Sequence, residues 1–182
     1  MDNFAQLQPV STTIDIQEVT DIAQDASENG RIGRSVFVES LDIRGAFSMP
    51  KAAAVGGDGD ADSVRFFVLL DRQANGATPV VGDILDTTTT YLSHWNDDNL
   101  PGRFTLLHEE ICDVQHRAAD AHDWGEVRYS FNISIPVNAS FRFGGDGTGT
   151  VANHSNQALW VCVKCKRNLA GCDYFTRTWF ID

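Results

Sequence analysis

The run Val64-Arg65-Phe66-Phe67-Val68-Leu69-Leu70 passes without a spacer into Asp71-Arg72-Gln73-Ala74-Asn75-Gly76. The first part carries one charge and is rich in β-branched and aromatic side chains, the composition of a strand. It does not alternate, so both faces are apolar, and a strand of that kind is expected at the centre of a sheet with cover on each side. The polar tract that ends it reads as a turn. The Asp71 carboxylate can accept from turn N–H groups, and Asn75-Gly76 supplies positive φ values. Beyond it lie about thirty residues with a single helix-like piece, Val81-Gly82-Asp83-Ile84-Leu85, and a β-branched run, Thr87-Thr88-Thr89-Thr90, that disfavours helix. A second strand then opens on Arg103-Phe104-Thr105-Leu106-Leu107. A connection so long inside a compact domain is expected to carry function.

Strand signals dominate on either side of this segment. Residues 12–19 alternate apolar and polar side chains, and residues 35–48 do so over a longer span in which Gly45 reads as a bulge or bend. The continuation 103–116 is one strand, and 127–136 and 138–143 read as two more. Residues 157–164 and 173–181 complete the set. Gly-rich and acidic tracts at 56–62 and 144–149 separate strands as turns. The expectation is an all-β, eight-stranded antiparallel jelly-roll sandwich with long inter-strand loops. Residues 1–33 form an N-terminal strand and loop, and residues 34–182 the remainder of a single domain.

Composition excludes several functions. With 25 acidic and 14 basic residues the formal net charge is −11, and residues 1–30 contain no Lys or Arg, which argues against a general nucleic-acid binder. No apolar run approaches the roughly 20 residues of a membrane span. The N-terminus shows no signal peptide, so reduced cysteines and a cytosolic or nuclear site of synthesis are expected. The sequons at Asn132, Asn138 and Asn153 are then chance matches. Cys162 and Cys165 have the spacing of a zinc or redox pair. Three residues apart on one strand they point to opposite faces, and a structural role is expected for them, as for Cys112 and Cys172.

The order of motifs resembles the single-jelly-roll coat proteins of small circular single-stranded DNA viruses and is similar to geminivirus and satellite-necrosis-type coat proteins. The resemblance covers residues 34–182. It runs through Arg34-Ser35-Val36-Phe37-Val38 to Arg44-Gly45, Val64 to Gly76, Gly82-Asp83-Ile84-Leu85, and Asn99 with Arg103-Phe104. It closes on Ala158-Leu159-Trp160-Val161 and Arg177-Thr178-Trp179-Phe180-Ile181-Asp182. It implies self-assembly into a small icosahedral virion shell, packaging of a single-stranded genome, no enzymatic activity and no membrane partner. Arg34, Arg44, Gly45, Asp71, Arg72, Asn75, Gly76, Asp83, Asn99, Arg103 and Phe104 become signature positions of fold and assembly. Such proteins carry a basic N-terminal arm, whereas residues 1–30 here are acidic. Viral DNA is therefore expected to bind through an arm absent from this sequence, and this form to assemble empty, in the host nucleus or cytoplasm.

Individual residues carry narrower expectations. The Arg103 fork suits a bidentate carboxylate, with Asp71 and Asp83 as the two candidates, against the alternative of a solvated side chain. Trp160 and Trp179 lie in strands and are expected in the core. Trp95 and Trp124 lie in loops, as interface anchors or loop packing. Asp58, Asp60 and Asp62 form the opening of a calcium loop, but Ser63 stands where that loop needs glycine and Leu69 where it needs glutamate. An EF-hand is excluded and an inter-subunit calcium site remains the weaker reading. Two other functions stay open. A carbohydrate-binding jelly-roll module would use Trp95 or Trp124 to stack on sugar. A zinc hydrolase or deaminase would use His108, Glu109, Cys162 and Cys165, which the strand placement disfavours.

Overall fold

The computed structural model describes residues 1–7, 9–26, 30–49, 61–86, 91–96, 98–99, 102–115, 127–144 and 151–182. In chain order the strands are β1 (Asp2–Leu7), β2 (Asp15–Glu18), β3 (Ser35–Met49), β4 (Ala61–Asp71), β5 (Phe104–Gln115), β6 (Val127–Arg142), β7 (Ala158–Cys165) and β8 (Gly171–Ile181). One helical turn, α1 (Val81–Ile84), and a short 3-10 turn (Val151–Asn153) complete the described elements. No helix among the described residues is long and apolar enough to cross a membrane.

The chain is all-β and builds two four-stranded antiparallel sheets, ordered β1-β8-β3-β6 and β2-β7-β4-β5. Alternation decides which side chains face inward. On β3, Val36, Val38, Leu41, Ile43 and Phe47 point to the interior, where they meet Val64, Phe66, Val68 and Leu70 of β4. The opposite face of β4 is also apolar, and there Phe67 and Leu69 join Trp160, Cys162, Ile84, Leu85 and Phe104 in a second cluster. This strand is thus buried on both sides, as its unbroken apolar run implies. The cover over its outer face comes from the connection between β4 and β5.

Several local readings change. Residues 1–33 hold two strands, not one, and they supply an edge to each sheet: β1 pairs with β8, and β2 with β7. β1 inverts the usual pattern, burying small Ala5 and turning Phe4 outward. Residues 127–142 form one continuous strand despite Pro136 and Asn138. β6 lies at a sheet edge, where a missing N–H breaks no ladder. Gly45 is not a bulge, because its register is regular against both neighbours. The irregularity lies at Glu39, which is extra relative to β8 and faces Val137 and Asn138 of β6, where Asn138 takes φ 49°. Gly45 serves close packing instead: a Cβ there would sit 2.5 Å from the Asp173 carbonyl oxygen and 2.6 Å from the Phe131 ring.

Candidate functional site

Where β4 leaves the sheet, Asp71 is fully buried. Its Oδ1 accepts the Gln73 N–H at 2.9 Å, and both oxygens accept from Arg103, with Nη2 at 3.0 Å from Oδ2 and Nε at 3.2 Å from Oδ1. The remaining arm of the fork, Nη1, reaches Asp83 Oδ2 at 3.1 Å. Arg103 therefore takes both candidate carboxylates at once, tying the end of β4, the α1 turn and the start of β5. The Asp71 hydrogen bonds, with Asp83 adding to them, hold its guanidinium pKa above the ordinary value. The ring of Phe104, itself fully buried, lies 4.7 Å below the guanidinium carbon.

Backbone bonds complete this knot. Asn99 accepts the Arg103 and Phe104 N–H groups at 2.7 and 3.1 Å, and its side-chain amide donates to the Asp83 carbonyl at 3.0 Å. Arg72 donates its N–H to the Arg103 carbonyl at 2.8 Å, while its side chain is exposed. Gly76 has φ 78°, and Asn75 uses its Oδ1 to accept the Ala77 N–H at 3.2 Å; among Asn75 and Gly76 only the glycine takes a positive φ. Arg34, exposed ahead of β3, gives its carbonyl to the Phe143 N–H.

A second arginine, which sequence reasoning passed over, fastens the same connection further along. Arg65 projects from the outer face of β4 and is almost fully buried. It pairs with Glu109 at 2.7 Å, donates to the carbonyls of Tyr91 and Ser93 at 3.2 and 2.6 Å, and lies 4.5 Å from the Trp95 ring. Trp95 packs edge-on against Phe67 with centroids 5.0 Å apart. Of its two expected roles, loop packing is the one this geometry describes. The signal was available: one charge inside an apolar run, which a buried strand retains only if it is paired.

The other aromatic expectations divide. Trp160 is buried, whereas Trp179 is 47% exposed on the outer face of β8, and its Nε1 donates to Asp42 Oδ2 at 2.7 Å. Placing Trp179 in the core was wrong because the inward positions of β8 are Tyr174, Thr176 and Thr178. Trp124 lies outside the described residues, as do Asp58 and Asp60. Asp62 is described and is not available to a cation. Its two oxygens accept five backbone N–H groups, from Ser63, Lys166, Arg167, Leu169 and Ala170. That carboxylate organises the β7–β8 connection.

Cys162 and Cys165 belong to different apolar clusters, one on each face of the sheet that carries β7. Burial pushes both thiols up, Cys165 to about 11. Such surroundings disfavour the thiolate that a metal needs, and among the described residues no group of three or more His, Cys, Asp and Glu is arranged to hold a metal ion.

Two further polar clusters emerge only in three dimensions. Beside β2, the Glu18 carboxylate meets His154 Nε2, and Asp21 stands close enough for its pKa to rise to about 6, through burial first and the Glu18 charge second. On the outer face of the β1-β8-β3-β6 sheet, a groove of about 320 Å³ is lined by Asp2, Asp42, Arg44, Phe175, Arg177 and Trp179. No family model and no curated protein sequence matches this chain.

Proposed function

We propose that this chain is a capsid protein, an eight-stranded jelly roll that self-assembles into a small icosahedral shell enclosing a single-stranded genome. The observation that carries the reading is the nesting of the strand pairs. β4 pairs with β5, β3 with β6, β2 with β7 and β1 with β8, and successive pairs alternate between the two sheets. A single long hairpin rolled on itself produces this order, which supports the double-sheet jelly-roll reading.

The connection between β4 and β5 supports the assembly role. Arg103 and Arg65 fasten its described residues to the sandwich at two separate points, so those parts are held before any partner arrives. A preordered surface loop avoids the entropy cost of ordering on contact, which favours the weak, many-fold interfaces of a closed shell. The ordered motifs from Arg34 to Asp182 add the expectation of a virion component.

Size-exclusion chromatography and negative-stain microscopy of the purified chain test the reading. Uniform closed particles are the expected result. A monodisperse small species at every salt and pH tried would overturn it, and would favour a free-standing binding module.

A further inference from the structure

The outer faces of the two sheets are unlike. Over β4 and β7 the outer surface is capped by the β4–β5 connection and is buried, with the apolar cluster around Phe67 and Trp160 flanked by the paired Arg65. On the other sheet, Phe4, Phe175 and Trp179 are about half exposed. Alternation on β8 turns Phe175, Arg177 and Trp179 outward in sequence, an aromatic–cation–aromatic row. The two aromatic steps lie about 14 Å apart at the rise of an antiparallel strand.

Each element of the row is held in place. Phe175 stacks with Phe4 across the β1–β8 ladder, centroids 4.4 Å apart. The Trp179 indole is oriented by its bond to Asp42, whose other oxygen accepts the Ser134 hydroxyl at 2.7 Å. Arg177 is paired bidentately with Asp2 at 2.7 Å through both nitrogens. Arg44 sits opposite Phe175 on β3 and differs from these: it is exposed, and among the described residues its guanidinium makes no hydrogen bond or ion pair.

Charge points the same way. The strands of this sheet carry four arginines against four carboxylates, whereas those of the other carry two basic residues against seven. In a chain of net charge −11, this is the strand surface that a polyanion can approach at least cost. Exposed rings interleaved with arginine on an open sheet are how sequence-tolerant single-strand platforms are built. A neutral sugar would use the rings but has no need of the exposed Arg44 guanidinium.

We propose that this groove binds single-stranded nucleic acid, with bases stacked on Trp179 and on the Phe4–Phe175 pair and a backbone phosphate on Arg44. The identity of the strand as a packaged genome rests on the capsid reading; the binding itself does not. A shell with this face inward holds its contents without a basic arm, in place of the empty particle that composition alone suggests.

Fluorescence anisotropy of a labelled oligodeoxythymidylate with the full chain tests the proposal, alongside particle counts by microscopy. Expected are salt-sensitive binding, roughly tenfold weaker for Phe175→Ala and for Trp179→Ala, and weaker again with a shallower salt slope for Arg44→Ser. Phe175→Tyr keeps the ring and should keep the affinity, which separates lost stacking from lost folding. Absence of binding, or equal binding by all variants, overturns the proposal even if particles form. Competition by maltoheptaose with no salt dependence also overturns it and makes the groove a sugar site. Oligonucleotide binding by a chain that never forms particles sustains the groove and removes the capsid reading.

Discussion

Arg103 and Asp71, 32 residues apart in the chain, form a forked ion pair in which the carboxylate is fully buried. The pair closes the connection between β4 and β5 at its base, and Asp83 ties the intervening helical turn to the same guanidinium. Among the described residues, Arg103→Ala leaves the buried Asp71 carboxylate with the Gln73 N–H as its one remaining donor. Breaking a buried pair from one side costs about 3–5 kcal/mol, and urea unfolding should show a loss of that order. Arg103→Lys, which cannot span both carboxylates, should fall between. Wild-type stability and particle yield in Arg103→Ala would remove the pair from any structural role.

How much of this was legible in the sequence depends on the range of the interaction. Asp71, Asn75, Gly76 and Arg103 stand at strand ends beside turn residues, where local chemistry names its own partners. The double burial of β4 was legible because it needs no knowledge of what covers it. Trp179 was not, since alternation on β8 fixes two faces but not which one is solvent. β1 escaped notice because a strand that buries Ala5 and exposes Phe4 gives an inverted hydrophobic signal. The apparent break at Pro136 misled for a related reason, since tolerance of proline depends on edge position, which only the completed sheet defines.

Gly45 offers a test of packing at the centre of the β1-β8-β3-β6 sheet. A Cβ at this position meets backbone and ring atoms closer than 3 Å, and the Asp173 carbonyl cannot move without breaking its ladder. Gly45→Ala should lower stability by about 1–3 kcal/mol by overpacking. Gly82→Ala, with nothing within 4 Å of the added carbon, is the matched control and should leave the melting temperature unchanged or slightly raised.

Stability should pass through a maximum on the acid side of neutrality. Asp21 has a folded pKa raised to about 6 from 3.8, so its contribution is complete below 3.8 and is lost as pH rises through 6. Asp42 and Asp2 lie below the ordinary carboxylate value, held by Ser134 with Trp179 and by Arg177 respectively. Their contributions are present above 3.8 and are lost as pH falls through their lowered folded pKa values. Thermal melts from about pH 3 to 8 should therefore peak near about pH 4 and decline toward about pH 6. Asp21→Asn should flatten the alkaline limb and leave the acid limb as it was. An unchanged alkaline limb would locate the titration elsewhere.

Thiol reactivity distinguishes structural cysteines from a metal pair. Cys162, Cys165 and Cys172 are buried, and burial raises each thiol above its ordinary value. Burial, with the Glu110 and Asp113 charges, raises the Cys112 thiol too, but it is only partly buried and so within reach of a reagent. A thiol reagent at neutral pH should label Cys112 alone in the folded protein and all four in denaturant. Zinc protection of Cys162 and Cys165, without protection of Cys112, would restore the metal reading.

The carboxylate of Asp62 carries the last prediction, and it separates a calcium site from a backbone anchor. Five main-chain N–H groups converge on it, 2.8 to 3.2 Å away, four of them from the connection that carries β7 into β8. A carboxylate so saturated by donors has no lone pairs directed at an added cation, and a cation there would have to displace these N–H groups, of which that of Lys166 also donates to the Ser63 carbonyl at 2.9 Å. Chelation with EGTA should therefore leave the melting temperature unchanged. Asp62→Ala removes a charged acceptor shared by all five donors and should cost about 2–4 kcal/mol, since bonds to charged groups are stronger than neutral ones and the buried Ala170 N–H is left without its acceptor. Asp62→Asn keeps one acceptor oxygen and should recover part of that loss, with hydrogen exchange accelerated first at Leu169 and Ala170, whose N–H groups bond to Oδ2. A chelator-sensitive melt in the wild type, absent in Asp62→Asn, would reverse the assignment.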